Sequence, residues 1–235
     1  DKEILKKFNN ISWKKAALEL HNPNNINKKG NFLERLIFDE ILSTFLINSK
    51  IRKTIKKFKK EKKIFDNDFS NNIKKRLNYE LTNDQTNALN EINKDLKSEE
   101  KMFRLLQGDV GSGKTIVALI SCLNVVNSGY QVAFMAPTEI LAYQHYKLAQ
   151  SLIKDKMKIG FLTSKTDYSE RKKIINDLET SKLNILFGTH SVFQEKISYK
   201  KLGLVVIDEQ HKFGVKQRKK LSDKGGKNCD VLVMS

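Results

Sequence analysis

Residues 103–115 read FRLLQGDVGSGKT. An apolar run of strand length gives way to a glycine-rich loop, and from Lys114 to Asn127 the pattern is that of a helix. Within the stretch, Gly108-Asp109-Val110-Gly111-Ser112-Gly113-Lys114-Thr115 is a complete G-x-x-x-x-G-K-[ST] in the strand–loop–helix setting that gives the pattern its chemistry. Glycines let backbone N–H groups close around phosphate oxygens, and the following helix N-terminus adds a favourable dipole. The spacing assigns Lys114 to the β- and γ-phosphates of a nucleoside triphosphate, and the Thr115 hydroxyl to Mg²⁺. A glycine-rich turn that binds nothing is the competing reading, and the full motif in its proper context stands against it.

Outward from this loop, short apolar runs alternate with amphipathic stretches from Leu81 onward. FRLLQ, QVAFMAP, MKIGFLT, NILFGT, LGLVVID and DVLVMS read as strands, with helices at Lys114 to Asn127, Glu139 to Lys154 and Ser169 to Thr180. Strands separated by such helices predict βαβ units and a parallel sheet, whose ligands gather at the carboxyl ends of the strands. LVVIDEQHKFGV, Leu204 to Val215, ends an apolar run in Asp208-Glu209-Gln210-His211. Adjacent acids at the edge of a low-dielectric core repel unless a cation sits beside them. A P-loop fold supplies one: Asp208 is expected to hold Mg²⁺, directly or through water, and Glu209 to polarise the attacking water as general base. A solvated strand end with paired acids is the alternative, and it does not explain the coincidence with the phosphate loop.

The balance of 44 Lys+Arg against 27 Asp+Glu gives a formal charge of +17. A polyanion is the first partner to consider, although Lys- and Asn-rich composition throughout the chain would give the same excess. Cys122 and Cys229 stand far apart in apolar surroundings and are expected to pack as small hydrophobes, without disulfide or zinc. No apolar run approaches the length of a membrane span and no signal-peptide pattern opens the chain, so a cytoplasmic setting without membrane partners is expected. Residues 1–75 differ in texture from the rest. Leu33, Leu36, Ile37, Ile41 and Phe45 recur at helical spacing, LHNPNNINKKG before them reads as a loop, and residues 60–77 read as a polar connector. The division predicted is a helical segment, 1–75, followed by an α/β lobe, 76–235. Trp13 is expected to anchor the first helix, and Tyr79 to pack near a base or to be an ordinary aromatic. His21 and His145 are read as lacking ligand-like partners, with His145 on a helix face.

With these residues in place the chain resembles the motors of superfamily 2 helicases, and more narrowly the RecG-type branched-DNA helicases. LTNDQ resembles the Q-motif, GDVGSGKT is motif I, APTEILAYQH resembles motif Ia, and FGTHSVFQ resembles motif Ib. DEQHKFGV is motif II in its RecG form, and VLVMS looks like the opening of motif III. LHNP followed by ERLIFDEILSTFL resembles the segment that joins the RecG wedge domain to its motor, so the resemblance runs over nearly the whole chain. DEQH is the narrowest signal: transcription-repair coupling translocases usually show DEEQ, and DEAD-box RNA helicases show DEAD.

The resemblance implies a RecA-like P-loop NTPase lobe, a parallel sheet flanked by helices, preceded by a short helical segment. It implies ATP and Mg²⁺ as cofactors and branched or duplex DNA as partner, in repair and recombination. Gln85 falls where the family reads adenine. Thr138, Thr189 and His190 fall where it touches DNA phosphates, with helix capping as the competing role for the threonines. Gln210 and His211 fall where nucleotide state is coupled to DNA through motif III. A second RecA-like lobe, with a transition-state arginine, and an OB-fold wedge are expected in the complete protein. The present chain is accordingly expected to bind ATP·Mg²⁺ but to turn it over little alone. A transcription-repair coupling translocase, and an ATP-switched nucleic-acid-binding module without motor activity, remain the alternatives.

Overall fold

A computed structural model of the chain describes residues 6–9, 11–21, 29–56, 59–66, 71, 73–153, 157–194, 196–208, 226 and 228–235. The chain divides into two compact units, Asp1–Thr54 and Ile55–Ser235, a cut ahead of the residue-75 boundary read from composition.

The first unit carries helix α1, Trp13–His21, and the start of the long helix α2, Lys29–Lys56. The buried Arg35 guanidinium lies 5.3 Å from the Phe8 ring centroid, its Nε donates to the Ile11 carbonyl, and it pairs with Asp39 one turn on. Phe8 also meets Phe38, ring centroids 5.0 Å apart. One cation thus ties Phe8 and Ile11 to α2. The expected apolar spacing is present on this helix, but Leu33, Ile37, Ile41 and Phe45 are exposed. Trp13, expected as an anchor, is 59% exposed.

The second unit is built on a six-stranded parallel sheet in the order β1-β6-β5-β2-β4-β3. Its strands are β1 Phe103–Leu106, β2 Gln131–Met135, β3 Ile159–Leu162, β4 Ile185–Gly188, β5 Leu202–Asp208 and β6 Asp230–Met234. Helices α3 Asn83–Leu96, α4 Lys114–Asn127, α5 Glu139–Leu152 and α6 Tyr168–Glu179 flank it, with a 3-10 turn at His190–Phe193. Both faces of the sheet are covered, which explains why β2, β4, β5 and β6 read as continuous apolar runs rather than alternating ones. Helix α4 is apolar on nearly all sides because it packs against α3 on one side and β2 and β5 on the other. Cys122 and Cys229 are both buried in these cores, as expected, and burial pushes the Cys229 thiol up to about 12.

Register aligns the strand ends. Leu106 of β1 and Asp208 of β5 both pair with Met234 of β6, so they stand level with one strand between them. At a spacing of about 4.8 Å per strand, their Cα atoms lie roughly 10 Å apart. On the other side, Met135 of β2 and Leu162 of β3 both pair with Gly188 of β4.

The stretch read as a polar connector is instead part of the lobe. Residues 59–66 lie along α3 and its exit, with Lys60 N–H donating to the Glu99 carbonyl and Lys63 N–H to the Leu96 carbonyl. Phe65 and Ile73 join the main core. The Lys60 and Lys63 ammonium groups, both fully buried, reach the fully buried Asp230 Oδ2 at 2.6 and 2.5 Å. Oδ1 of the same carboxylate accepts from the Met102 N–H at 2.7 Å. Lys60 also donates to the Asp95 and Leu96 carbonyls at the end of α3, where the helix dipole favours a cation. Burial lowers the Lys60 pKa more than Asp230 raises it. Composition could not show this clasp, because lysines that anchor and lysines that dissolve look alike in a Lys-rich chain.

Candidate nucleotide site and sheet-edge residues

The loop between β1 and α4 has the conformation its glycines permit. Gly111 and Gly113 take φ of +82° and +79°, a region that side chains rarely enter. A Cβ on Gly113 would also lie 2.4 Å from Gln85 Nε2. Gly113 is the N-cap of α4 and offers no side chain, so the N–H groups of Lys114 and Thr115 are left to whatever the loop holds, while that of Ile116 donates back to the Gly113 carbonyl. Lys114 Nζ folds back onto the loop, donating to the Gly108 carbonyl and, at 2.8 Å, to that of Asp109. The loop is thus closed on its own lysine, with Ser112 N–H bonded to the Asp109 carbonyl. Val110 is fully exposed at its tip, and Thr115 sits in the first turn of α4.

Gln85 is the N3 residue of a capping box at the start of α3. Its Oε1 accepts from Thr82 N–H at 3.0 Å, its own N–H donates to Thr82 Oγ1 at 3.2 Å, and its Nε2 donates to the Ser112 carbonyl at 2.9 Å. One amide N–H and one lone pair are left for a ligand. Gln85 therefore ties α3 to the phosphate loop, a role its position in the sequence did not reveal. Beside the start of α3 lies a cavity of about 490 Å³ lined by Lys74, Leu77, Tyr79, Leu81 and Thr86.

Asp208 closes β5 at the sheet edge that also carries the phosphate loop. Its Oδ2 lies 2.8 Å from His145 Nε2. The reading of His145 as a residue without partner is thereby corrected: it is buried, on the inner face of α5, against the ring of Phe134 at 4.9 Å. A signal for it was present, since Ala142, His145, Ala149 and Leu152 recur at three- and four-residue spacing on the buried side of the helix. Glu209, Gln210 and His211 lie outside the described residues.

Thr138, Thr189 and His190 all follow strands whose ends are in register. Thr138 caps α5, its hydroxyl oxygen accepting from Leu141 N–H at 3.3 Å while its own O–H remains able to donate. Thr189 opens the 3-10 turn without a side-chain cap, and His190 is exposed. The loop after β3 joins them: Ser164 Oγ donates to Glu139 Oε1 at 3.2 Å, and Lys165 pairs with Glu139 at 3.4 Å. Strand ends of β2, β4 and β3 thus form one ledge carrying hydroxyl and basic groups.

The family model described as DEAD/DEAH box helicase matches residues 82–235. The chain is 42% identical over 240 residues to the ATP-dependent DNA helicase RecG of Aquifex aeolicus, covering 99% of this chain and 30% of the relative. It is 40% identical over 245 residues to the ATP-dependent DNA helicase homolog RECG1, chloroplastic/mitochondrial, of Arabidopsis thaliana, covering 95% of this chain and 25% of that protein. The solved structure of RecG bound to a three-way DNA junction superposes with a TM-score of 0.77 at 38% identity, over 100% of this chain and 32% of that one. The chain therefore spans about a third or less of the length of the relatives it matches.

Proposed function

This chain belongs to the DEAD/DEAH box helicase family, and we propose that it supplies the first ATP-binding lobe of a RecG-type DNA helicase acting on forks and junctions. The observation that carries the reading is the loop between β1 and α4, with two left-handed glycines, an uncapped helix start and Lys114 turned inward, standing level with Asp208. In this reading ATP displaces the loop carbonyls from Lys114, whose ammonium then holds the β- and γ-phosphates. Backbone N–H groups of Gly111, Gly113, Lys114 and Thr115 face the phosphate oxygens, and Gly108, Asp109, Val110 and Ser112 complete the loop. Gln85 uses its remaining N–H and lone pair on adenine, next to the cavity lined by Tyr79 and Thr86.

Thr115 and Asp208 offer the hard oxygen donors that Mg²⁺ takes, one or two from protein with the rest from phosphate and water, so the residues fit that cation. Bound there, the cation would supply charge neutralisation at the phosphate oxygens. Glu209 takes a proton from the attacking water, which adds to the γ-phosphorus as ADP leaves. Thr138, Thr189 and His190 contact DNA phosphates along the ledge, and the charge of +17 supplies the long-range attraction. Gln210 and His211 carry the nucleotide state toward motif III. In the complete protein residues 1–54 connect the wedge to the motor, 55–235 form the first lobe, and a second RecA-like lobe brings an arginine to the transition state.

The test is direct. Titration with a fluorescent ATP analogue and Mg²⁺ is expected to show saturable binding that Lys114→Ala abolishes, and the complete protein is expected to hydrolyse ATP faster on forked than on single-stranded DNA. Absence of nucleotide binding by the unmodified chain would remove the reading. Nucleotide-dependent DNA binding without any stimulated turnover in the complete protein would turn it into the switch module.

A further inference from the structure

We infer that His145 is a positioning residue for the phosphate-transfer centre: from α5 it fixes the carboxylate of Asp208, and it makes α5 the rigid link between the ledge and that centre. The inference rests on the nucleotide reading above and deepens it. The contact is short, 2.8 Å, and nearly dry, with the two side chains 9% and 14% exposed. A carboxylate only accepts, so Nε2 carries the proton in this bond. The imidazole engages Oδ2 alone of the two carboxylate oxygens, which leaves Oδ1 outside the contact.

The ring itself cannot turn freely. It packs on Phe134 at 4.9 Å, and Phe134 is stacked on Phe187 at 5.2 Å, both fully buried. Orientation passes from the aromatic core to the imidazole and from the imidazole to the carboxylate. Asp208 is the last residue of its strand, and the pairing with Met234 fixes its backbone but not its carboxylate, so a side-chain contact has most to contribute there. Hydrogen bonds of this kind, from a group that does not touch the metal to one that does, alter metal affinity by about 10–100-fold when removed.

Helix α5 gives the contact a second consequence. Thr138, its N-cap, and His145 are seven residues apart, close to two turns, and so share a face about 10 Å apart along the axis. A displacement of the helix start is delivered to Asp208 without passing through residues 209–225.

The test uses the unmodified chain and its His145→Gln, His145→Asn and His145→Leu variants, with affinity for a fluorescent ATP analogue measured in EDTA and in Mg²⁺. The Gln amide N–H reaches the place of Nε2, whereas Asn is too short and Leu has no donor. The expected result is equal metal-free affinity in all four. The tightening on adding Mg²⁺ is expected to fall by about 10–100-fold in the Asn and Leu variants and to be retained by Gln. Paramagnetic resonance of Mn²⁺ titrated into the nucleotide complex should show the same order. If Asn and Leu keep the Mg²⁺-dependent tightening, or lose metal-free and metal-dependent binding in equal proportion, His145 does not position the ligand. Should the Leu variant fail to fold, the comparison of Asn with Gln decides. Failure of the unmodified chain to bind nucleotide would overturn the nucleotide reading itself, a result distinct from a variant series without effect.

Discussion

Replacing Asp230 by alanine should cost the lobe most of its stability. The carboxylate is fully buried and is shared by Lys60 at 2.6 Å, Lys63 at 2.5 Å and the Met102 N–H at 2.7 Å. Its removal leaves two ammonium groups in the core on backbone carbonyls, Asp95 and Leu96 for Lys60 and Asn228 for Lys63, with the Tyr130 ring centroid 5.2 Å from Lys63 Nζ. An uncompensated buried charge costs about 3–5 kcal/mol, and the orphaned N–H adds roughly 1–3 kcal/mol. Domains of this size are stable by about 5–15 kcal/mol, so the variant should be marginal or unfolded at room temperature. Urea unfolding followed by circular dichroism measures this as a fall in the midpoint. Asp230→Asn combined with Lys60→Met and Lys63→Met should recover most of the loss, because buried charges replaced together by apolar groups cost little. The pH dependence has a definite sign. Burial holds Lys60 below its ordinary 10.5, so in the intact lobe this group's contribution rises as pH climbs from the lowered value toward 10.5, where the unfolded chain sheds the same proton. An Asp230→Ala variant within about 1 kcal/mol of the parent would refute the reasoning, since it would mean that the cluster is open to water.

Gly113→Ala forces a side chain into φ +79° and against Gln85 Nε2, and is expected to cost about 1–2 kcal/mol and to abolish binding of the fluorescent ATP analogue. Normal nucleotide affinity in that variant would contradict the loop geometry. Thr138→Val removes the cap of α5 and should destabilise by about 1 kcal/mol, while Thr138→Ser restores both the cap and the O–H. If the proposed phosphate contact is right, fluorescence anisotropy will show DNA affinity restored by Ser as well. Tyr130 donates to Glu61 at 2.6 Å, and burial followed by this partner pushes its hydroxyl up to about 12. Its contribution to stability is therefore full below pH 10 and lost as pH rises from 10 toward 12. Phenolate absorbance should show a component titrating near 12 that Tyr130→Phe removes, distinct from Tyr199, whose full burial pushes it higher still, and absence of that component from the folded parent would contradict the contact.

How much of the fold and site was legible in the sequence depended on distance along the chain. The strands from FRLLQ to DVLVMS and helix Lys114–Asn127 fall where hydrophobic patterning put them, because local periodicity and glycine punctuation are properties of neighbouring residues. The phosphate loop was legible for the same reason, since its chemistry is contained within residues 108–115. What escaped were the side-chain contacts made across the fold. Lys60 meets Asp230 across 170 positions, and His145 meets Asp208 across 63. Gln85 reaches Ser112 across 27, in a geometry no composition records. Polar residues are ambiguous in a pattern: a lysine between lysines reads as solvated, and a histidine on a helix reads as surface until its apolar neighbours at Ala142 and Ala149 are weighed with it.

The order of the strands also sets a distance. Strand β1 meets the sheet through β6, and the ladder continues past it, with Ser235 N–H bonded to the Leu106 carbonyl and Gly108 N–H to the Ser235 carbonyl. The phosphate loop and Asp208 are therefore not free to choose their separation. It is set at two ladder spacings by hydrogen bonds that neither stretch nor slide by less than a residue pair. The sheet acts as a ruler, and β6 is its single graduation. A slip of β6 against either neighbour would leave both sequence motifs chemically intact, yet would offset the acid from the loop by about two residue rises, roughly 7 Å along the strand.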